Sequence, residues 1–408
     1  MNYKIKPPEK LSSHTVSVSA SKSMMNRAAI IKAIAGEKIS LDSCAYTCDD
    51  VKVMQEAIGR REGRIDLENC GTAMRFLTAY FASTPNTSVI LDGNDRMKQR
   101  PIYELVKKLR QMGADISYCG QSGYPPIQIN GRQLSGGIVT FRNSLSSQYV
   151  SALMMIAPRL SSNLQIEFLD IQKSRPYVEL TANMMKKAGA KLKVSPGKII
   201  IENRPYTGTE KLEIESDWTS VSYWYSLAAI SNCEIKIESI LDMSLQGDRR
   251  LADIYELIGV TSRWKNDTLT ITPGGPHSVK ALMMDLKDNP DIAQTLMVTC
   301  ACIGVPFTFV GLSSLHIKET DRLVAMQNEL CKLGVDLAIG SDWASWIGNR
   351  IPKSKGPIKT YYDHRMAMAF APASVKYPGL EIENVEVVSK SYPRFWEELR
   401  SLGFRLEN

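Results

Sequence analysis

Apolar positions along this chain recur at helical spacing in short blocks, each closed by a glycine and followed by a run suited to a strand. One block carries Ile102, Leu105, Leu109 and Met112 ahead of Gly113, and another carries Leu323, Met326, Leu330 and Leu333 ahead of Gly334. Residues three and four apart share a helix face, so each block predicts a helix with one buried stripe. The closing glycine predicts a left-handed cap that turns the chain back into a strand, such as residues 191–194.

The block itself returns. Residues 100–114 and 175–190 align directly, with Glu104-Leu105 and Glu179-Leu180 at the same offset, and weaker copies end at Gly259, Gly334 and Gly403. An interval of about 70 residues is too long for a solenoid and points to a repeated α/β module. The chain has room for six such units, the least regular being the first, around Val51 to Gly59. Residues 292–315 carry no charge and are long enough on paper to cross a bilayer. Gln294, Gly304 and Pro306 argue instead for a buried helix to about Ile303 followed by a strand over 307–310, with no membrane span.

Composition narrows the class. Fifty Lys and Arg against 43 Asp and Glu leave +7 on 408 residues, 44% hydrophobic and 23% charged, which excludes disordered and fibrous chains. At about 100–200 residues per domain, the length predicts two or three compact units. The eight cysteines (Cys44, Cys48, Cys70, Cys119, Cys233, Cys300, Cys302, Cys331) form no C-x-x-C pair, and there are only four histidines. They read as reduced, mostly buried thiols, with no metal site and no disulfide framework. Residues 1–10 lack the pattern of a signal or transit peptide, so a cytoplasmic chain is expected. The charge is modest, and no basic run interleaved with aromatics marks a nucleic-acid partner.

Four polar clusters at predicted helix ends suit anions. Ser19 to Arg27, with Lys22, Ser23 and Arg27, precedes an apolar helix over 28–34, and Asn69-Cys70-Gly71-Thr72 opens another. Free N–H groups at a helix start favour a phosphate, and Gly71 lets a ligand approach the backbone. Asn143 to Gln148 offers three hydroxyls and two amides ahead of a helix over 149–157. In His316 to Arg322, Lys318 and Arg322 are four apart and are expected to share a helix face beside Glu319. Each cluster also reads as a plain cap or a solvated ion-pair face.

Together these residues resemble the EPSP synthase (3-phosphoshikimate 1-carboxyvinyltransferase) family, nearly end to end and in order. The resemblance is carried by Ser21-Lys22-Ser23 with Arg27, Gly71-Thr72-Ala73-Met74-Arg75, Arg96 to Ile102, Ser146-Ser147-Gln148, Gln246-Gly247-Asp248, Pro290-Asp291, Lys318 to Leu323 and Asp363-His364-Arg365-Met366-Ala367. It implies an α/β fold of two similar domains, each of three β-α-β-α-β-β units with helices inside and sheets outside. The domains would be residues 22–215 and residues 1–21 plus 216–408, with two chain crossings and the active site in the cleft between them.

The resemblance also implies transfer of the enolpyruvyl group of phosphoenolpyruvate to the 5-hydroxyl of shikimate 3-phosphate, on the way to chorismate and aromatic amino acids. No metal, cofactor, nucleic acid or membrane is implied, and the family points to a monomer. Lys22, Ser23, Arg27, Ser146, Ser147, Gln148, Ser174, Tyr177, Asp291, Ser314 and Lys318 would bind shikimate 3-phosphate. Lys22, Asn69, Gly71, Thr72, Arg100, Gln148, Arg322, Arg365 and Lys390 would bind phosphoenolpyruvate. Among these, Asp291 would be the base and Lys318 with Glu319 the proton donor, with Lys22 and His364 also catalytic.

The sequence departs from the family pattern at Glu68, Cys70 and Phe76, which would back the enolpyruvate donor's pocket, and at Ser314 and His316. The related transferase acting on UDP-N-acetylglucosamine is the alternative, with Cys119 as its one candidate loop cysteine. A catalytically silent relative is another.

Overall fold

The computed structural model describes residues 1–37, 48–142, 146–170, 175–354 and 356–408. The chain opens with strands β1 (Tyr3–Lys6) and β2 (His14–Val16) and helices α1 (Lys22–Ile34) and α2 (Asp49–Ile58). A complete module follows: β3 (Glu62–Asp66), α3 (Gly71–Ala82), β4 (Ser88–Asp92), α4 (Tyr103–Gln111), β5 (Asp115–Tyr118) and β6 (Ile127–Asn130). Its sheet runs β3-β4-β6-β5, with β3 and β4 parallel and the other pairs antiparallel. The next module, β7 (Gly137–Phe141), α5 (Ser147–Ile156), β8 (Leu164–Phe168), α6 (Arg175–Lys187), β9 (Leu192–Ser195) and β10 (Lys198–Ile201), repeats that order as β7-β8-β10-β9.

Two of the remaining modules borrow strands from the N-terminus. Helix α7 (Trp218–Ser231), β11 (Ile235–Ile237), α8 (Leu251–Glu256), β12 (Thr261–Lys265) and β13 (Thr268–Thr272) take β2 as their first strand, parallel to β11. A module complete in itself comes next: β14 (Leu282–Asp285), α9 (Ala293–Ile303), β15 (Phe307–Val310), α10 (Arg322–Lys332), β16 (Ala338–Ile339) and β17 (Trp343–Trp346). The last, α11 (His364–Phe370), β18 (Leu380–Ile382), α12 (Phe395–Ser401) and β19 (Arg405–Glu407), takes β1 as its central strand in the order β18-β1-β19.

Two compact units result, residues 22–214 and residues 1–21 with 215–408. In each, strands bury alternate residues, as in Ser88–Asp92 and Thr268–Thr272, so that one sheet face is covered. Among the helices beneath them, α3 and α7 are buried nearly all round. In α7 the residues left outside the buried set are Ala229 and Ser231, and in α3 only Thr72. A helix hydrophobic on every side is a core helix.

The periodic signals translate into backbone geometry. Gly113, Gly189, Gly259, Gly334 and Gly403 have φ of 98, 88, 82, 80 and 90°. The first, irregular copy ends differently, with Gly59 at φ −73° in the right-handed region. The strand expected over 191–194 lies one residue on. The uncharged stretch resolves into α9 and β15, and Thr295 and Thr299 in α9 bond the hydroxyls of Ser222 and Ser226 at 3.2 and 2.7 Å. Such satisfied hydroxyls belong in a protein core. Among the described residues, no helix is long and apolar enough to cross a membrane.

Candidate active site

In the unit of residues 22–214 the candidate residues gather where several helices begin. The helix expected from residue 28 starts at Lys22, so Lys22 and Ser23 form its first turn while Arg27 lies a turn deeper, buried. Lys22 pairs with Asp50 of α2 at 2.9 Å. Arg27 donates to the Thr181 hydroxyl at 2.7 Å and to the Ser23 and Tyr177 carbonyls, which ties α1 to α6. Thr181 in turn donates to Ser151 of α5. Helix α5 begins at Ser147, two residues before the expected start, and the Ser146 side chain accepts from the Gln148 N–H. Gln148 donates to Thr72 at 3.0 Å, joining the starts of α5 and α3.

The space over Gly71 holds a side chain of the protein itself. A Cβ built there would meet the Arg100 guanidinium, so any larger residue would have to push the end of that side chain aside. Arg100 donates to the carbonyl and side-chain oxygens of Asn69, both at 3.3 Å, and so lies over the first turn of α3. Below it Arg75 donates to the carbonyls of Gly71 and Pro101. Burial lowers both Arg27 and Arg75 to about 10. Neither has a carboxylate within ion-pair distance among the described residues, so this unit buries positive charge that an anion would compensate. Ser174 and residues 143–145 lie outside the described residues.

The other unit gathers the acids. Arg322, with 1% of its side chain exposed, donates to Asp291 at 2.9 Å, Glu319 at 2.9 Å and Asp363 at 2.7 Å. Asp291 also receives Lys318 at 3.4 Å and Arg365 at 3.0 Å. Burial alone would raise Asp291, but Arg365, Lys318 and Arg322 together hold its carboxyl well below the usual range. Burial lowers the proton affinity of Lys318, against the pull of Asp291.

Lys318 and Arg322 do not share a helix face as expected. Helix α10 starts only at Arg322, capped by the Asp321 side chain, and Lys318 precedes it in extended backbone. The loop nevertheless brings Lys318, Glu319 and Arg322 around Asp291. His364 opens α11, buried, with Nδ1 3.5 Å from Asp363. Ser314 lies in a 3-10 turn over Ser313–Ile317, and Lys390 ends another over Val385–Lys390.

Three residues given no site role from the sequence are structural to these clusters. Asp363 grips Arg322 and caps α11 through the Arg365 N–H at 2.9 Å, and its place in Asp363-His364-Arg365 was the available signal. Asp50 pairs with Lys22 from α2, which no motif marked. Asp248 is buried, accepting from Thr219 at 2.6 Å and from Asn289 at 3.1 Å, just ahead of Pro290-Asp291.

The model for the EPSP synthase (3-phosphoshikimate 1-carboxyvinyltransferase) family matches residues 55–399. The chain belongs to the EPSP synthase family. A relative from Bacteroides fragilis (strain YCH46), named 3-phosphoshikimate 1-carboxyvinyltransferase, is 43% identical over all of this chain and 99% of its own length. One from Colwellia psychrerythraea bearing the same name is 34% identical over 90% of this chain and 86% of its own. EPSP synthase from Acinetobacter baumannii has the same fold, with a TM-score of 0.74 over the whole of both chains at 20% identity.

Departures from the EPSP synthase pattern have local causes. Glu68 stands in left-handed backbone at φ 50°, where a glycine carries no penalty and a side chain costs about 1–2 kcal/mol. Cys70 caps α3, its sulfur accepting from the Ala73 N–H at 3.4 Å. Phe76 is buried with its ring 5.3 Å from the Arg27 guanidinium, so it supports that buried charge by a cation–π contact. His316 bonds Asp321, the cap of α10, at 2.8 Å.

Asp248 makes a pH dependence testable. Burial pushes its carboxyl up to about 6, with Asp291 adding to the rise and Thr219, Asn289 and Arg365 opposing it. A carboxyl that holds its proton more tightly in the folded state favours the fold at acid pH, and that contribution is lost as pH rises to about 6. Asp248→Asn is therefore expected to flatten the stability curve between pH 4 and 7 by on the order of 1–3 kcal/mol. Urea unfolding at several pH values checks this, and parallel curves for parent and variant would sink it.

Proposed function

We propose that this chain transfers the enolpyruvyl group of phosphoenolpyruvate to the 5-hydroxyl of shikimate 3-phosphate and releases phosphate. The observation that carries the reading is the arrangement around Asp291. Three cations, Arg322, Arg365 and Lys318, are held on one partly buried carboxylate, in a chain of the EPSP synthase family. The two substrates bring two phosphates and two carboxylates, and cations poised in a partly dry site stabilise such charge far better than water does.

In this reading, Lys22, Ser23, Arg27, Ser146, Ser147, Ser174, Tyr177 and Ser314 take shikimate 3-phosphate. Asn69, Gly71, Thr72, Arg100, Arg322, Arg365 and Lys390 take phosphoenolpyruvate, and Gln148 serves both. While three cations face it, Asp291 is too weak a base. Once Arg322 and Arg365 turn their charge to the donor's anionic groups, the proton affinity of Asp291 rises toward the useful range. It then removes the proton of the 5-hydroxyl as that oxygen bonds to the central carbon of the donor. Lys318 and Glu319, with His364 beside them, deliver a proton to the methylene carbon. The tetrahedral adduct then loses a methyl proton and phosphate, which restores the double bond.

The reading takes residues 22–215 and 1–21 plus 216–408 as the two functional domains, and the chain as a cytoplasmic monomer needing no metal. Phosphate release, measured in chelator with phosphoenolpyruvate and either shikimate 3-phosphate or UDP-N-acetylglucosamine, tests it. Release that depends on shikimate 3-phosphate is expected. Release only with the nucleotide sugar, or with neither acceptor from folded protein, defeats it. Light scattering on the eluted protein tests the monomer.

A further inference from the structure

Two consecutive tyrosines stand, immediately ahead of Asp363, in a backbone conformation that tyrosine disfavours. Tyr361 and Tyr362 have φ of 53 and 56°, and the Asp363 N–H closes the turn on the Thr360 carbonyl at 2.9 Å. Positive φ at both central positions is a pattern that Asn-Gly adopts readily, whereas tyrosine crowds its own Cβ against the following carbonyl at each. Such a turn persists only when its surroundings hold it.

Those surroundings belong to α10. Glu329 is fully buried, and its Oε1 accepts from the Tyr361 hydroxyl at 2.8 Å while its Oε2 accepts from the Lys359 N–H at 2.9 Å. Lys332, on the same helix, donates to that Oε2 at 2.6 Å and to the Pro357 carbonyl at 2.7 Å. Burial, and then the bond to Glu329, pushes the Tyr361 phenol up to about 12, so it stays a donor at neutral pH. Arg322, the first residue of α10, bonds Asp363 just past the turn. One helix thus grips the segment on both sides of its strained residues.

We propose that Glu329 is a positioning residue for the enolpyruvyl transfer. Through Tyr361 and Lys359 it holds the left-handed turn that sets Asp363, and Asp363 orients the Arg322 guanidinium and the first turn of α11, which carries Arg365. The proposal rests on the assignment of Arg322 and Arg365 to phosphoenolpyruvate. It explains why a carboxylate remote from the reacting groups is buried against a phenol, a backbone N–H and an ammonium at once. It also explains how two tyrosines are tolerated where the turn itself favours Asn and Gly.

Tyr361→Phe is the first test, because it removes one hydroxyl. Its kcat/KM for phosphoenolpyruvate is expected to fall about tenfold, with KM for shikimate 3-phosphate moving less than about twofold and the melting temperature nearly unchanged. An unchanged kcat/KM overturns the proposal. Glu329→Gln is expected to lose more. Adding Y361N and Y362G, which supply a turn that forms unaided, should return it to within about threefold of the parent. Failure of that rescue, with turnover tracking the melting temperature, would make Glu329 a stability residue only and overturn its positioning role. Should E329Q not fold, Y361F with Y362G added is read the same way. A parent protein silent on both substrates would overturn the functional reading and the proposal with it, and would be told apart because the parent itself fails.

Discussion

Replacing Asp291 by Asn is expected to lower kcat by about two to four orders of magnitude, the usual contribution of a general base, without raising KM for phosphoenolpyruvate. The asparagine keeps the shape and loses the charge. In the parent, Arg322, Arg365 and Lys318 share that one carboxylate, at 2.9, 3.0 and 3.4 Å. Without it the cations repel one another and gain more from an anionic ligand, so binding is held or tightened while chemistry is lost. Inorganic phosphate should therefore raise the melting temperature of D291N by more than it raises that of the parent. Steady-state kinetics that separate kcat from KM, with thermal melts, decide the matter. A kcat within about threefold of the parent would remove Asp291 from the role of base.

Arg322→Ala is expected to abolish turnover and to destabilise its unit by about 3–5 kcal/mol near neutral pH, because it strands buried carboxylates without their cation. Asp363 and Glu319 are 0% and 10% exposed, and each has Arg322 as a partner at 2.7–2.9 Å. Lysine should not rescue the variant, since a single ammonium cannot reproduce the fork that reaches three acids. The pH dependence has a definite sign. Asp291 has its carboxyl depressed in the folded state, so its contribution is present above the unfolded value of 3.8 and is lost as pH falls through the lower folded value. The deficit of R322A should accordingly shrink toward acid pH, as the stranded carboxylates take up protons. Urea unfolding at pH 7 and at pH 3, below the unfolded value, measures it, and an equal deficit at both would count against the ion-pair account.

Much of this protein is legible in its sequence because the deciding physics is local. Helical spacing of apolar residues and a left-handed glycine after each helix lie within a few neighbours of each other, so the modules ending at Gly113, Gly189, Gly259, Gly334 and Gly403 can be read from the chain. The uncharged run over 292–315 likewise resolves into helix and strand through its own Gly304 and Pro306. The family motifs name Lys22, Gly71, Arg100, Asp291, Arg322 and Arg365 without any coordinates.

Charge pairing is not local, and there the chain alone misleads. Helical spacing put Lys318 and Arg322 on one face, but the cap at Asp321 starts the helix late, and Arg322 finds Asp363 41 residues on. The helix of Lys22 starts earlier than its apolar run suggests, which moves Arg27 from a helix end to a buried contact with Thr181, 154 residues away. Gly71 reads as open space for a ligand until Arg100 is seen lying over it. The sequence by itself determined the repeat, the elements and the residue types available for anion chemistry. Only the tertiary structure decided which cations are already held by carboxylates and which are buried without one, because that depends on contacts between residues far apart in the chain and on the loss of water around them.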